Sequence, residues 1–165
     1  MKVFKIWPLL ATAAILSLTS CSTEEFPDDS IEAINITHAP QAKEIEIEIL
    51  ELINAYRIEN GLNPLGNHNT VKAVSFTHTD YMIEVNQVSH DNFPERRLSL
   101  VQHADAQTVS ENVAYGYTSA QSVVNAWIES EGHRANLLGD FTDFDISAEQ
   151  NEDGKWYYTN MFIKR

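Results

Sequence analysis

Acid–base or metal chemistry in this 165-residue chain would have to come from six histidines and the carboxylates able to orient them. Two neutral imidazoles with one or two carboxylates are enough donors for zinc with a position left open for water. A histidine paired with a glutamate can also serve as a general base without metal, because the carboxylate fixes the tautomer and strengthens proton affinity. The nucleophile signatures that would complete an enzyme are missing: neither Gly-x-Ser-x-Gly nor His-Glu-x-x-His occurs. The one thiol, Cys21, closes an apolar N-terminal run, which rules out a disulfide within the chain and calls for another use of the sulfur.

The elements that must position such groups are readable from hydrophobic spacing. Ile45, Ile49, Leu52, Ile53 and Tyr56 recur at helical intervals across residues 41–60, and Gly61 stands where a helix C-terminus favours positive φ. The alternation Glu44-Ile45-Glu46-Ile47-Glu48-Ile49 competes as a strand, but length and the capping glycine decide for a helix. A second helical pattern runs from Val71 to Val85, after turn residues 61–67. Residues 89–97 read as a loop containing Pro94, with a short helix around 98–103. Val109 to Tyr117 reads as a strand, and Ser119 as the N-cap of a helix carrying Val123, Val124 and Trp127 that ends at Gly132. Residues 144–150 and 155–163 form two strands joined by Asn151-Glu152-Asp153-Gly154, a hairpin turn. Helices come first and strands late, which excludes a doubly wound parallel sheet and predicts an α+β fold with helices over an antiparallel sheet.

The N-terminus carries an address. Lys2 and Lys5 precede an apolar run, Ile6 to Leu18, shorter than the roughly 20 residues a membrane-spanning helix needs. Leu18-Thr19-Ser20-Cys21 resembles the bacterial lipobox, which makes residues 1–20 a lipoprotein signal peptide and Cys21 the acylated first residue of the mature chain. Several acyl chains, at about 0.8 kcal/mol per buried methylene, anchor a protein without a spanning helix. Residues 21–39 then read as an acidic flexible tether, with the folded domain over 40–165. Ser22 and the acidic pairs that follow resemble outer-membrane sorting signals, which implies the outer membrane of a Gram-negative bacterium and leaves surface exposure open. A formal charge of -13 excludes a nucleic-acid partner and any electrostatic draw toward anionic lipid.

Five strings occur in a characteristic order: Asn54-Ala55-Tyr56-Arg57, Gly61-Leu62-Asn63-Pro64-Leu65, Val88-Ser89-His90, Glu111-Asn112-Val113-Ala114, and Ala126-Trp127 through Gly132-His133-Arg134 to Leu138. Together they resemble the CAP superfamily, which unites cysteine-rich secretory, antigen-five and pathogenesis-related proteins. The resemblance implies a three-layer α-β-α sandwich with a central antiparallel sheet. It also implies a cleft in which two histidines and two acidic residues can hold a divalent metal such as zinc. Residue by residue, these fall on His90, Glu111, His133 and, two places after Trp127, Glu129, with Glu131 the competing position. The sequence departs from the pattern in Ser110, where many members have glycine, and in lacking the eukaryotic disulfides. The family is also linked to lipid and sterol ligands, so a small apolar ligand or an extracellular partner is a further expectation.

Three readings of His90, Glu111, Glu129 and His133 stay open at this level: a metal site, a metal-assisted hydrolase, and a hydrogen-bonded network that organises the fold. The other histidines, His38, His68, His78 and His103, read as surface or core. Trp127, Trp156, Tyr157, Tyr158 and Phe162 follow helical or strand spacing and read as core.

Overall fold

A computed structural model describes Ile36 and residues 40–165; the signal peptide, Cys21, the rest of the tether and His38 lie outside the described residues. The described residues fall in one compact unit, and every core cluster lies within it.

The chain forms α1 (Glu44–Glu59), β1 (Gly66–Asn67), α2 (Asn69–Glu84), α3 (Phe93–Ala104), β2 (Thr108–Tyr115), α4 (Ala120–Glu129), α5 (Glu131–Leu137), β3 (Asp143–Gln150) and β4 (Trp156–Lys164). In α1 the helical reading prevails over the alternating one. Gly61 adopts φ 76°, its N–H reaches Ile58 C=O, and Leu62 N–H reaches Arg57 C=O, a Schellman closure. Ser119 caps α4 as expected, its hydroxyl accepting from Ser122 N–H.

The sheet runs β1-β3-β4-β2. β3, β4 and β2 are antiparallel, while the two-residue β1 pairs parallel to β3, so the sheet is mixed where a wholly antiparallel one was expected. On one face Phe144, Ile146, Ala148, Tyr158 and Phe162 pack against Ile49, Leu50 and Ile53 of α1 and Val123, Val124 and Trp127 of α4. On the other, Met161 and Ile163 meet Val71 and Val74 of α2 and Leu100 of α3, and Val113 and Tyr157 meet Met82. The result is the α-β-α sandwich, built by period-2 alternation along β3 and β4 that gives each face its own apolar set.

The two sheet edges are closed differently. Beyond β1, Lys72 Nζ donates to Ile146 C=O at 2.7 Å and Ala148 N–H donates to Glu46 Oε1 at 2.8 Å. Buried charge thus satisfies the outward main chain of β3, which would otherwise template pairing with another chain. Among the described residues the β2 edge has no such strand or charge along its full length, and there the candidate site residues gather.

Three local differences from the sequence reading bear on the site. Pro94 lies in the first turn of α3 rather than inside a loop, a position where its missing N–H costs nothing. Helix α4 ends at Glu129, before Gly132, because Ser130 turns to extended backbone (ψ 121°) and starts the separate helix α5. The residues from Gly132 to Leu137 therefore run in a new direction, and this carries His133 toward β2.

Candidate functional site

Glu111 is the centre of the polar cluster. It lies on β2, 6% exposed, on the face covered by α2 and α3. Arg96, on α3 and 2% exposed, holds it with two parallel bonds: Nε to Oε2 at 2.7 Å and Nη2 to Oε1 at 2.8 Å. This is the fork geometry in which guanidinium and carboxylate match best. His90 Nδ1–H adds a third bond to Oε1 at 2.8 Å. Burial pushes the Glu111 carboxyl up, but the bonds from His90 and Arg96 and the charge of Arg96 outweigh it and hold it below the ordinary carboxylate range.

His90 is presented by the α2–α3 connection. With Nδ1 committed to Glu111, its Nε2 is left to solvent and ligand, and 56% of the side chain is exposed. The loop beneath it is pinned twice: His78 Nε2–H donates to Ser89 C=O at 2.8 Å, and Arg96 Nη1 donates to Asp91 C=O at 2.6 Å. His78 is buried, and burial followed by the charge of Arg96 lowers its pKa, so it serves as a neutral donor inside the core.

His133 comes from the opposite layer. Asn112 Nδ2 donates to His133 C=O at 3.1 Å, and Asn136 Nδ2 donates to Asn112 Oδ1 and to Glu111 C=O. These bonds fasten α5 to β2. Burial, then the charge of His90, lowers the His133 pKa, which leaves a neutral imidazole at pH 7.

His90 and His133 line one cleft of about 550 Å³ with Val88, Val113, Tyr115, Tyr117, Ala126 and Trp127. Its size suits a small ligand or a short segment of chain, and its walls are mostly apolar. The buried indole of Trp127 donates to Val113 C=O at 3.2 Å, so its polar edge is satisfied and its ring forms wall. A second cavity, about 580 Å³, lies by Asn67, Lys72 and Asp145. Its charged groups answer one another, with Lys72 paired to Glu46 and both Asp145 oxygens accepting backbone N–H.

Of the four residues expected in the cleft, His90 and His133 line it, while Glu111, in the middle of β2, is bonded to His90 without lining it. Glu129 ends α4 and Glu131 begins α5; both are exposed, and neither lines the cleft. Among the described residues no three His, Cys, Asp or Glu side chains are placed to hold one metal ion. The donors offered to a divalent cation are the two imidazoles, since both Glu111 oxygens accept from Arg96 and its positive charge sits against them. This set falls short of the three protein ligands of an open zinc centre. Sequence reasoning missed Arg96, because residues 89–97 read as loop; an arginine two places after a proline at a helix start was the available signal.

A family model described as "CAP: Cysteine-rich secretory protein family" matches residues 50–162, more than half of the chain. Among curated relatives, an uncharacterized membrane protein of Bacillus subtilis (strain 168), YlbC, is 36% identical over 124 residues, 73% of this chain and 34% of that protein. An uncharacterized protein of the same organism, YkwD, is 31% identical over 135 residues, 77% of this chain and 50% of that protein. The chain thus spans a third to a half of these relatives. Among solved structures, an outer surface protein from Borrelia burgdorferi superposes with a TM-score of 0.67 at 21% identity, over 78% of this chain and 99% of that one, a likeness of fold. An extracellular protein containing an SCP domain from Bacillus anthracis str. Ames gives 0.62 at 27% identity, over 73% of this chain and 40% of that one.

Proposed function

The chain belongs to the CAP, or cysteine-rich secretory protein, family, and from that premise we propose that it is an exported, lipid-anchored recognition module that holds a ligand between His90 and His133 without covalent chemistry. The observation that carries this is the cleft itself: a preformed apolar groove with two imidazoles at its polar end. Among the described hydrogen bonds, neither imidazole is joined to a serine or threonine hydroxyl, and the Glu111 carboxylate is spent on Arg96 and His90. With no hydroxyl joined to either imidazole among the described residues and both Glu111 oxygens accepting from Arg96, the site favours holding over nucleophilic cleavage.

Export and anchoring rest on Leu18-Thr19-Ser20-Cys21, supported by relatives named as outer-surface and extracellular proteins. None of the described helices is long and apolar enough to cross a membrane, and on this reading the acyl chains of Cys21 anchor the protein. Cys21→Ser should move the protein from the membrane to the soluble fraction.

The cleft is tested by titrating zinc chloride, palmitate and a mixed-sequence hexapeptide library into isotope-labelled residues 31–165. The readout is the Trp127 indole and the His90 and His133 ring resonances. At least one probe should shift them saturably, and Ala126→Trp, which places an indole in the groove, should abolish that shift. Binding unaffected by Ala126→Trp would refute the reading, as would silence from all three probes.

A further inference from the structure

The class of ligand follows from the hydrogen-bond phase of β2, an edge strand. In an antiparallel pair, alternate residues turn N–H and C=O toward the partner strand, and those between turn them away. Gly116 N–H donates to Trp156 C=O at 2.8 Å, so Gly116, and by alternation Ala114 and Asn112, face β4. Glu111, Val113 and Tyr115 face outward. The side chains that meet them agree, since Asn136 donates to Glu111 C=O and Trp127 to Val113 C=O.

Helices α4 and α5 therefore close the β2 edge at Glu111 and Val113, and Tyr115 is the next outward residue. It is 44% exposed and lines the cleft. Its N–H and C=O, with the N–H of Val113, give the groove two main-chain donors and an acceptor beside its apolar wall. The opposite sheet edge is answered by Lys72 and Glu46, whereas this stretch is answered by no described side chain.

A lipid tail laid here would bury those groups unpaired, at about 1–3 kcal/mol each by the usual cost. Main chain answers main chain. An extended peptide pairs with both groups of Tyr115 as an added strand and sets alternate side chains against the Val88 and Trp127 wall. His90 gives its Nδ1–H to Glu111, so the Nε2 left to the groove accepts, and a hydroxyl, Lys or Arg side chain finds a partner there while a carboxylate meets only a lone pair. We propose that the occupant of the cleft is an extended, non-acidic peptide segment of another protein, about three or four residues of which add to β2 beside Tyr115.

This rests on the ligand-binding reading above, and the test separates the two. Labelled residues 31–165 are titrated with the mixed hexapeptide library, with the same library N-methylated at alternate positions, with a library in which aspartate and glutamate replace the basic and hydroxyl residues, and with palmitate. The amide resonances of Val113 and Tyr115 are followed. The probes are altered rather than the protein, so loss of fold cannot mimic a result. The plain library should shift both amides saturably; N-methylation should weaken binding about fivefold or more, and the acidic library should bind about tenfold more weakly. Equal affinity for plain and N-methylated peptides overturns strand pairing, and equal affinity for the acidic library overturns the stated partner chemistry. Palmitate binding without peptide binding overturns this inference and leaves the ligand-binding cleft standing, and failure of every probe fells both.

Discussion

Replacing Arg96 with methionine removes the cation that neutralises a buried carboxylate. Arg96 and the Glu111 side chain are 2% and 1% exposed, and the two bonds between them are 2.7 and 2.8 Å. Removing one partner of a buried pair typically costs about 3–5 kcal/mol, because the remaining charge keeps its desolvation penalty without its counter-ion. Arg96→Met should therefore destabilise by about that much at pH 7, by urea unfolding. The double variant Glu111→Gln/Arg96→Met should recover a large part of the loss.

The pH dependence carries the sharper test. In the wild type the Glu111 carboxyl is held low, so its contribution to stability is present above its unfolded pKa, roughly 4.3, and is lost as pH falls through the lower folded value. With Arg96 gone, burial dominates and the folded pKa moves above the unfolded one. The variant then gains stability on acidification by protonating Glu111, while the wild type loses it. The stability gap should narrow steadily from pH 7 to pH 4. A gap below about 1 kcal/mol at pH 7, or one of constant size across this range, would refute the assignment of Glu111 to a buried ion pair.

Asp145 offers the opposite sign. Burial raises its carboxyl to about 6, against backbone bonds from Ile146 and His68, so the folded state binds a proton that the unfolded state releases between about pH 4 and 6. Stability should fall with rising pH across that window, and Asp145→Asn should flatten the slope in urea titrations; an unchanged slope would count against it. Zinc titrated calorimetrically should give the wild type no more than the weak response of two imidazoles, and Arg96→Met should strengthen it by freeing Glu111. A tight wild-type site abolished by His90→Ala/His133→Ala would contradict this. Trp127→Phe removes the bond to Val113 C=O as well as wall area, and a loss of about 1–3 kcal/mol is expected in thermal unfolding. No loss would mean that the indole bond does not hold α4 to β2.

Helix α1 and the hairpin of β3 and β4 were legible because each signal is local: 3.6-residue spacing closed by Gly61, and alternation broken by Asn151 to Gly154. The break between α4 and α5 was not, since Gly132 looked like a terminus while the chain turns at Ser130 under bonds from Asn112 and Asn136, which come from distant sequence or follow the break. That turn also decides the site. A helix continued to Gly132 would have carried His133 on along α4 instead of back toward β2, and Glu129, which the resemblance placed in the cleft, ends α4 outside the residues that line it. His90 and Glu111 could be listed together from the resemblance, but the group that binds them, Arg96, lies in a stretch whose helix starts at a proline and whose apolar spacing is weak.

The placement of the ion pair explains how a cleft of this kind stays preformed. His90 stands on a loop, the least constrained kind of element, yet its ring is fixed by Glu111, Glu111 by Arg96, and the loop backbone by His78 and Arg96. His133 stands on a two-turn helix that has little stability of its own and is tied to β2 by two asparagines. Both imidazoles are thus referenced to one strand, from opposite layers, and their separation is set by β2 rather than by either helix. Loosening Arg96 should therefore move His90 and leave His133 in place. In the Arg96→Met variant the ring resonances of His90 should broaden or shift while those of His133 keep their wild-type positions. Parallel changes in both would show that the two walls are coupled through something other than the strand they share.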